Sequence, residues 1–260
     1  VADPALWAQL PAVHCIYHLA SPASPPDYLR APVDTLRTNV IGTLHALDFA
    51  ARHRARVLLT STSEVYGDPQ QHPQTEAYWG HVNPVGPRSC YDEGKRCAEA
   101  LMAAHARQHG TQVRVARLFN TYGPRLRPDD GRVVSSFIAH ALRGEPLPLH
   151  GDGTQTRSFC HVSDTVRGLR ALMAHPTAIG PVNLGNPHEV SMAELACEVL
   201  RLTGSQAGVR YLPAREEDPR CRRPDITLAR QWLGWQPTVS LQDGLIDTIA
   251  AFRAELPAAA

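Results

Sequence analysis

Short apolar runs alternate with long stretches of helical spacing along the first half of the chain. Val13 to Leu19 is rich in β-formers and ends in Ala20-Ser21-Pro22, and Pro22, Pro25 and Pro26 forbid a helix directly after it. This predicts a buried strand feeding a rigid loop. Val33 to Arg54 places Leu36, Val40, Leu44, Leu47 and Ala51 at helical spacing, and Val57 to Leu59 is a second short buried strand. A helix over about Tyr91 to His109 and a strand over Val113 to Leu118 follow. Strands alternating with long helices predict βαβ units, hence a doubly wound parallel α/β sheet of Rossmann type.

After Pro124 the texture changes to loops rich in Pro, Gly and Asp between shorter elements. The pattern predicts helices near Val133 to Leu142, Val166 to Met173, Ser191 to Leu202 and Leu241 to Leu256, and a strand near Ser158 to Val162. Residues 1–124 therefore read as a partial nucleotide-binding domain carrying the chemistry. Residues 125–260 read mainly as a smaller α/β substrate-binding cap, with some segments returning to the core. A dinucleotide-binding sheet ordinarily opens with strand, Gly-rich turn and helix. No such turn is present: Gly151-Asp152-Gly153 lies far downstream, and Thr156 stands where the third glycine would be. With no starting Met, the chain reads as N-terminally truncated, and loss of central strands is expected to lower its stability.

Composition narrows the classes. At 260 residues and 43% hydrophobic content the chain can bury a substantial core. A net charge of +1 argues for neither a nucleic-acid nor a membrane partner. No run approaches the roughly 18 apolar residues of a membrane span. Six cysteines without a CxxC pair fit reduced thiols in a cytoplasmic enzyme, with no metal site expected. The charge pattern holds one anomaly: twenty-five arginines but a single lysine, Lys95, four residues after Tyr91. On a helix these two share a face, and a cation beside a phenol lowers the phenol's pKa toward a usable base. Taken alone, the pair reads equally as a surface Tyr/Lys pair. Upstream, Thr60-Ser61-Thr62-Ser63-Glu64-Val65-Tyr66-Gly67 places hydroxyls and a carboxylate at a strand C-terminus, where open α/β sheets bind ligands. Taken alone, it too reads as an ordinary Ser/Thr turn.

Together these segments resemble the extended branch of the short-chain dehydrogenase/reductase superfamily. That resemblance implies Thr62 orienting a substrate hydroxyl, Tyr91 as acid/base, and Lys95 binding the nicotinamide ribose. Longer segments narrow it to the UDP-glucuronate decarboxylases: His18 to Pro26, Thr62 to Pro69, Trp79 to Pro84, Tyr91 to Arg96, Arg117 to Arg125, Asp130 to Ser135, Gln155 to Arg157 and Asn183 to Pro187. The implied activity is NAD-dependent decarboxylation of UDP-glucuronic acid to UDP-xylose through a 4-keto sugar, by a homodimer paired through the helices around Leu36 to Leu47 and Ala98 to His105. Glu64 is implied in positioning the ring or handling the C5 proton or its water. The related dehydratases carry Asp-Glu where this chain has Ser63-Glu64, so the acid that expels a C6 hydroxyl is missing.

The same resemblance lines the NAD site with Leu19, Ser21, Thr38, Thr60, Tyr91, Lys95 and Thr121. It places Arg37, Asn120, Arg132, Gln155, Arg157 and Arg222 on the substrate, with Arg222, in the segment Asp218 to Asp225, on the diphosphate. The pattern departs from the family at Arg37, where lysine is usual, and at His150, where tyrosine is common. Two other readings stay open: an epimerase or dehydratase of the same superfamily, and an inactive truncated homologue that serves as a partner subunit.

Overall fold

In the computed structural model, residues 1–177, 179–214 and 221–256 are described. The core is a four-stranded parallel sheet of β1 (Cys15–His18), β2 (Arg56–Thr62), β3 (Val113–Leu118) and β8 (Val182–Leu184), in that spatial order. Its register runs from Val57 opposite Val113 to Thr62 opposite Leu118. Successive side chains of a strand face opposite ways. Val57, Leu59, Val113 and Val115 accordingly enter one core, beneath α3 (Pro32–His53) and α4 (Ser89–His109). Leu58 and Ala116 enter the other, packed on α6 (Val162–Ala174), α8 (Thr227–Leu233) and Trp235. Burial on both faces explains why β2 reads as an unbroken apolar run rather than an alternating one.

Helix α3 spans the predicted residues, but its apolar stripe is split between two faces. Leu36 and Leu44 are each 39% exposed, whereas Leu47 is buried on the packed face with Thr35, Asn39, Thr43 and Ala46. Close packing against α4 selects small and polar residues there: a Cβ on Gly94 would stand 3.0 Å from the Asn39 side chain. The prolines after β1 do not hold the chain in a loop for long. Pro25 and Pro26 open the short helix α2 (Pro25–Arg30), because proline at the first helical positions loses no hydrogen bond.

The second half builds the smaller layer. Helices α5 (Val133–Arg143), α7 (Met192–Thr203) and α9 (Leu241–Glu255) enclose a core of Phe137, Ile138, Leu195, Val199, Leu245 and Phe252. Two short pairings border it, β5 (Leu147–His150) parallel to β10 (Val209–Leu212) and β6 (Thr156–Ser158) antiparallel to β9 (Glu189–Ser191). The single strand expected near Ser158 to Val162 divides at Phe159. Its first part pairs with β9, and its second part, β7 (Cys160–His161), pairs with β4 (Thr121–Tyr122). Helix α6 then starts at Val162, four residues before its apolar periodicity announces it, and in its first turn buried Asp164 accepts the backbone N–H groups of Thr238 and Val239 at 2.9 Å each. The other end of α6 is closed by cations from the sheet. Arg56 donates to the Met173 carbonyl at 2.5 Å and buried Arg114 to those of His175 and Pro176, a favourable charge at the negative end of a helix. Strand β8 and helices α6 and α8 thus return to the core sheet, while the remainder forms a cap. Also present, and unmarked by periodicity, is α1 (Pro4–Ala8).

Candidate active site

The C-terminal end of β2 is where the chemistry gathers. Thr60 and Thr62 point one way and Ser61 the other, as the pleat requires. Lys95 Nζ, only 3% exposed, donates to the Thr60 carbonyl at 2.9 Å, and the Thr60 hydroxyl donates to the His18 carbonyl at 3.2 Å. The Thr62 hydroxyl accepts the Glu64 N–H at 3.2 Å, starting the single 3-10 turn Ser63–Tyr66, and also engages the Tyr91 phenol. One turn past Lys95, Glu99 accepts from the Ser61 hydroxyl at 2.5 Å and from Arg117 at 2.9 and 2.7 Å, binding α4 to both β2 and β3. Helix α4 therefore grips adjacent residues of β2 with side chains four residues apart, which fixes Tyr91 and Lys95 over the strand end.

These groups line a cavity of about 400 Å³. Leu19, Ser21, Thr60, Thr62, Glu64, Tyr91 and Lys95 occupy one part of its wall. Asn120, Thr121, Arg132, His150, Gln155, Arg157 and Arg222 occupy the rest. Fourteen of the sequence-singled positions thus meet although they come from segments throughout the chain. Two do not: Arg37 and Thr38 are absent from the wall. Arg37 is exposed and paired with Asp34 at 3.2 Å, because it lies two residues from Thr35 and so on the far side of α3 from the buried face. Asp218, Pro219 and Arg220 lie outside the described residues.

Electrostatics revises two expectations. Burial pushes Tyr91 up to about 12, outweighing its hydrogen bond with Thr62, while the Glu64 and Asp92 charges raise it further. The charge that lowers it is Arg132 rather than the expected Lys95, and it falls short because the ring is almost fully desolvated. Burial likewise brings Lys95 down to about 8, with Glu99 opposing the fall, and brings His18 down to about 4. Arg222, on the same wall, grips Glu64: it donates to both carboxylate oxygens, the second at 2.8 Å, while Arg88 donates at 2.5 Å. Desolvation raises the Glu64 pKa, but attraction to the two guanidiniums prevails and holds it at about 2.

Tyr28 and Arg88 are among the wall residues that had gone unread. Tyr28 of α2 stacks on Tyr91 with ring centroids 5.2 Å apart and planes within 6°, and among the described residues its buried hydroxyl has no partner. Arg88 opens α4. Only the second carried a local signal, an arginine at a helix start where an oxygen-bearing cap is preferred. A tyrosine after two prolines carries none.

A parallel sheet with both faces covered, and a Thr–Tyr–Lys cluster over its strand ends, define a doubly wound α/β core with a candidate acid/base site. The chain belongs to the NAD dependent epimerase/dehydratase family, whose sequence pattern matches residues 1–185. It is 57% identical over 241 residues to UDP-glucuronic acid decarboxylase 1 of Xenopus tropicalis, covering 93% of this chain and 57% of that protein. With UDP-glucuronic acid decarboxylase 6 of Arabidopsis thaliana it shares 60% over 230 residues, covering 88% and 67%. The chain thus spans little more than half the length of the vertebrate relative. Among solved structures, UDP-glucose 4-epimerase of Thermotoga maritima superposes with a TM-score of 0.91 at 30% identity, covering 98% of this chain and 83% of that one. UDP-glucuronic acid 4-epimerase of Bacillus cereus, solved with UDP-glucuronic acid and NAD, superposes with a TM-score of 0.87 at 26% identity, covering 98% and 81%.

Proposed function

We propose that this chain decarboxylates UDP-glucuronic acid to UDP-xylose with NAD as a bound catalyst. The observation that carries the reading is identity of 57% to 60% with proteins named UDP-glucuronic acid decarboxylase over about nine-tenths of the chain, joined to the Thr62–Tyr91–Lys95 geometry. The residues present suit the ribose end of NAD. Lys95 spends one of its three donors on Thr60 among the described residues, and the hydroxyls of Ser21, Thr60 and Thr121 stand on the same wall. No Gly-rich turn follows a strand among the described residues, so these groups account for one end of the cofactor.

NAD, when bound, supplies a reversible acceptor for the hydride of the sugar C4. Tyr91 takes the C4 hydroxyl proton while Thr62 holds the oxygen. The C6 carboxylate then lies β to a carbonyl, and loss of carbon dioxide leaves the C5–C6 electron pair as an enolate with its charge on the C4 oxygen. The Tyr91 and Thr62 hydroxyls face that charge where it develops. C5 takes a proton from water, and Tyr91 returns its own to the C4 oxygen as the hydride comes back. Glu64, held ionised by two arginines, orients the ring or a water and is not itself the acid. Asn120, Arg132, Gln155 and Arg157 are the wall residues for the UDP in this reading.

The protein also pairs as a homodimer in this reading. Val33, Leu36, Ile41 and Leu44 leave an apolar outer face on α3, between 39% and 59% exposed. None of the six cysteines forms a disulfide among the described residues, which suits a reducing cytoplasmic setting, and no helix among the described residues is long and apolar enough to cross a membrane. Incubation with UDP-glucuronic acid and NAD, followed by mass spectrometry of the nucleotide sugars, tests the activity. UDP-xylose and carbon dioxide are expected, both lost in Tyr91→Phe. A product that keeps C6 refutes the reading.

A further inference from the structure

Position 88 runs against the preferences of the helix it begins. Arg88 is the N-cap of the 21-residue helix α4, and its side chain makes no capping hydrogen bond. Ser, Asp or Asn there would stabilise the helix by about 0.5–2 kcal/mol relative to a residue without a capping oxygen. A guanidinium at the positive end of the helix dipole is unfavourable besides. Conflicts of this kind between local preference and sequence gather at functional sites. The backbone of Arg88 is nonetheless well used, because its carbonyl accepts the N–H of Tyr91 at 2.9 Å. Residue 88 is thus coupled through its backbone to the acid/base and through its side chain to the cavity that both line.

The charges there do not balance. Arg88 and Arg222 both converge on Glu64, and one carboxylate needs only one of them. The next acid, Asp92, lies 3.8 Å from Arg88 Nε. Counting Glu64 and Asp92 against Arg88, Arg222 and Lys95 leaves one positive charge. Burial keeps His18, Tyr28 and Tyr91 neutral at neutral pH, so none of them cancels it. The two arginines are not equivalent. Arg222 has committed both terminal nitrogens to Glu64, whereas among the described residues Arg88 hydrogen-bonds through only one of its two, leaving the other nitrogen's donors for a ligand. Arg132, which caps α5 in the same unusual way, has its fork taken by Asp130.

We infer that Arg88 is a specificity-determining residue: it selects a sugar bearing a carboxylate over the same sugar bearing a hydroxymethyl group, by offering that carboxylate the donors Glu64 leaves free. This rests on the proposed function and assigns its substrate discrimination to one side chain. Glu64 explains why the cation is needed. It is two residues from Thr62, and a second carboxylate brought beside it would be repelled without a guanidinium between them.

The test compares UDP-glucuronic acid with UDP-glucose, which differ only at C6. Dissociation constants are measured by calorimetry on the full chain in a Tyr91→Phe background, where turnover does not intervene. Arg88→Gln should weaken UDP-glucuronic acid binding by roughly tenfold or more, the worth of a hydrogen bond to a charged group, with UDP-glucose changed by less than about twofold. Arg88→Lys keeps the charge and loses the fork, so it should retain part of the preference, and it serves if the glutamine variant does not fold. Parallel weakening of both ligands overturns the inference, because it marks a general structural role. So does a preference that both variants leave intact. If the Arg88 chain itself binds the two ligands equally, the proposed function falls and this role falls with it.

Discussion

The single lysine shows how far burial can redirect a residue's chemistry. Lys95 is 3% exposed, with its ammonium against the Thr60 carbonyl and its pKa brought down to about 8 from the ordinary 10.5. Because the folded value lies below the unfolded one, the unfolded chain holds more protons between those two pH values. Stability therefore climbs as pH rises through that window, and the charged form is costly below it. Lys95→Met should raise stability at pH 7 by about 1–3 kcal/mol, after allowance for the lost hydrogen bond to Thr60. The advantage should shrink toward pH 10.5. Urea denaturation at the two pH values measures both effects, and a destabilised variant at pH 7 would mean that this lysine serves the fold rather than the site. The same burial keeps Tyr91 protonated in the free chain, so its conversion to a base must come with ligand binding. Sequence spacing located this pair and could not foretell the direction of the Tyr91 shift, because desolvation depends on what encloses the ring.

At the scale of elements, the junction after β2 is the most constrained. Gly67 has φ 63° and ψ −141°, and a Cβ there would stand 1.9 Å from the His81 carbonyl oxygen. The close approach lets the strand end meet the segment before α4 in an isolated parallel bridge, which Arg96 braces by donating to the Val65 and Trp79 carbonyls. Gly67→Ala should cost about 3 kcal/mol or more, through strain and displacement of the bridge. A melting temperature unchanged from that of the parent would show that the backbone can relax. Helix periodicity located α3, α4, α5, α7 and α9 to within two residues. It did not resolve the buried face of α3, because Leu36 and Leu44 of the apolar stripe lie on the outer surface while Leu47 is buried with Thr35, Asn39 and Thr43. Short strands such as β5 and β9 left no periodic signal, since each is only three or four residues long.

Across the whole molecule, β1 is the outer strand of the core sheet, with Tyr17 44% and Leu19 54% exposed. One row of its backbone groups has no strand partner among the described residues, whereas β2 and β3 are paired on both sides. Hydrogen exchange followed by mass spectrometry should therefore show residues 15–18 exchanging well before residues 56–62. Equal protection of the two would mean that another segment or molecule covers the edge. The outer face of α3 makes a parallel prediction. If the proposed homodimer pairs through this face, Leu44→Glu should leave a monomer in light scattering with little loss of stability, since Leu44 is already 39% exposed. An unchanged mass would place the subunit contact elsewhere.

What the sequence by itself determined was local: strand and helix order, the parallel core, and the Thr62, Tyr91 and Lys95 positions. Each of these depends on spacing within about twenty residues or on a run of one residue type, which a chain carries irrespective of its partners. The tertiary structure alone decided that Arg222, 158 residues from Glu64, would hold that carboxylate. It also brought Tyr28 onto Tyr91 from a different helix and turned Arg37 away from the cavity. Ion pairs and ring stacking form between surfaces that folding brings together, and no periodicity along the chain encodes which surfaces those will be.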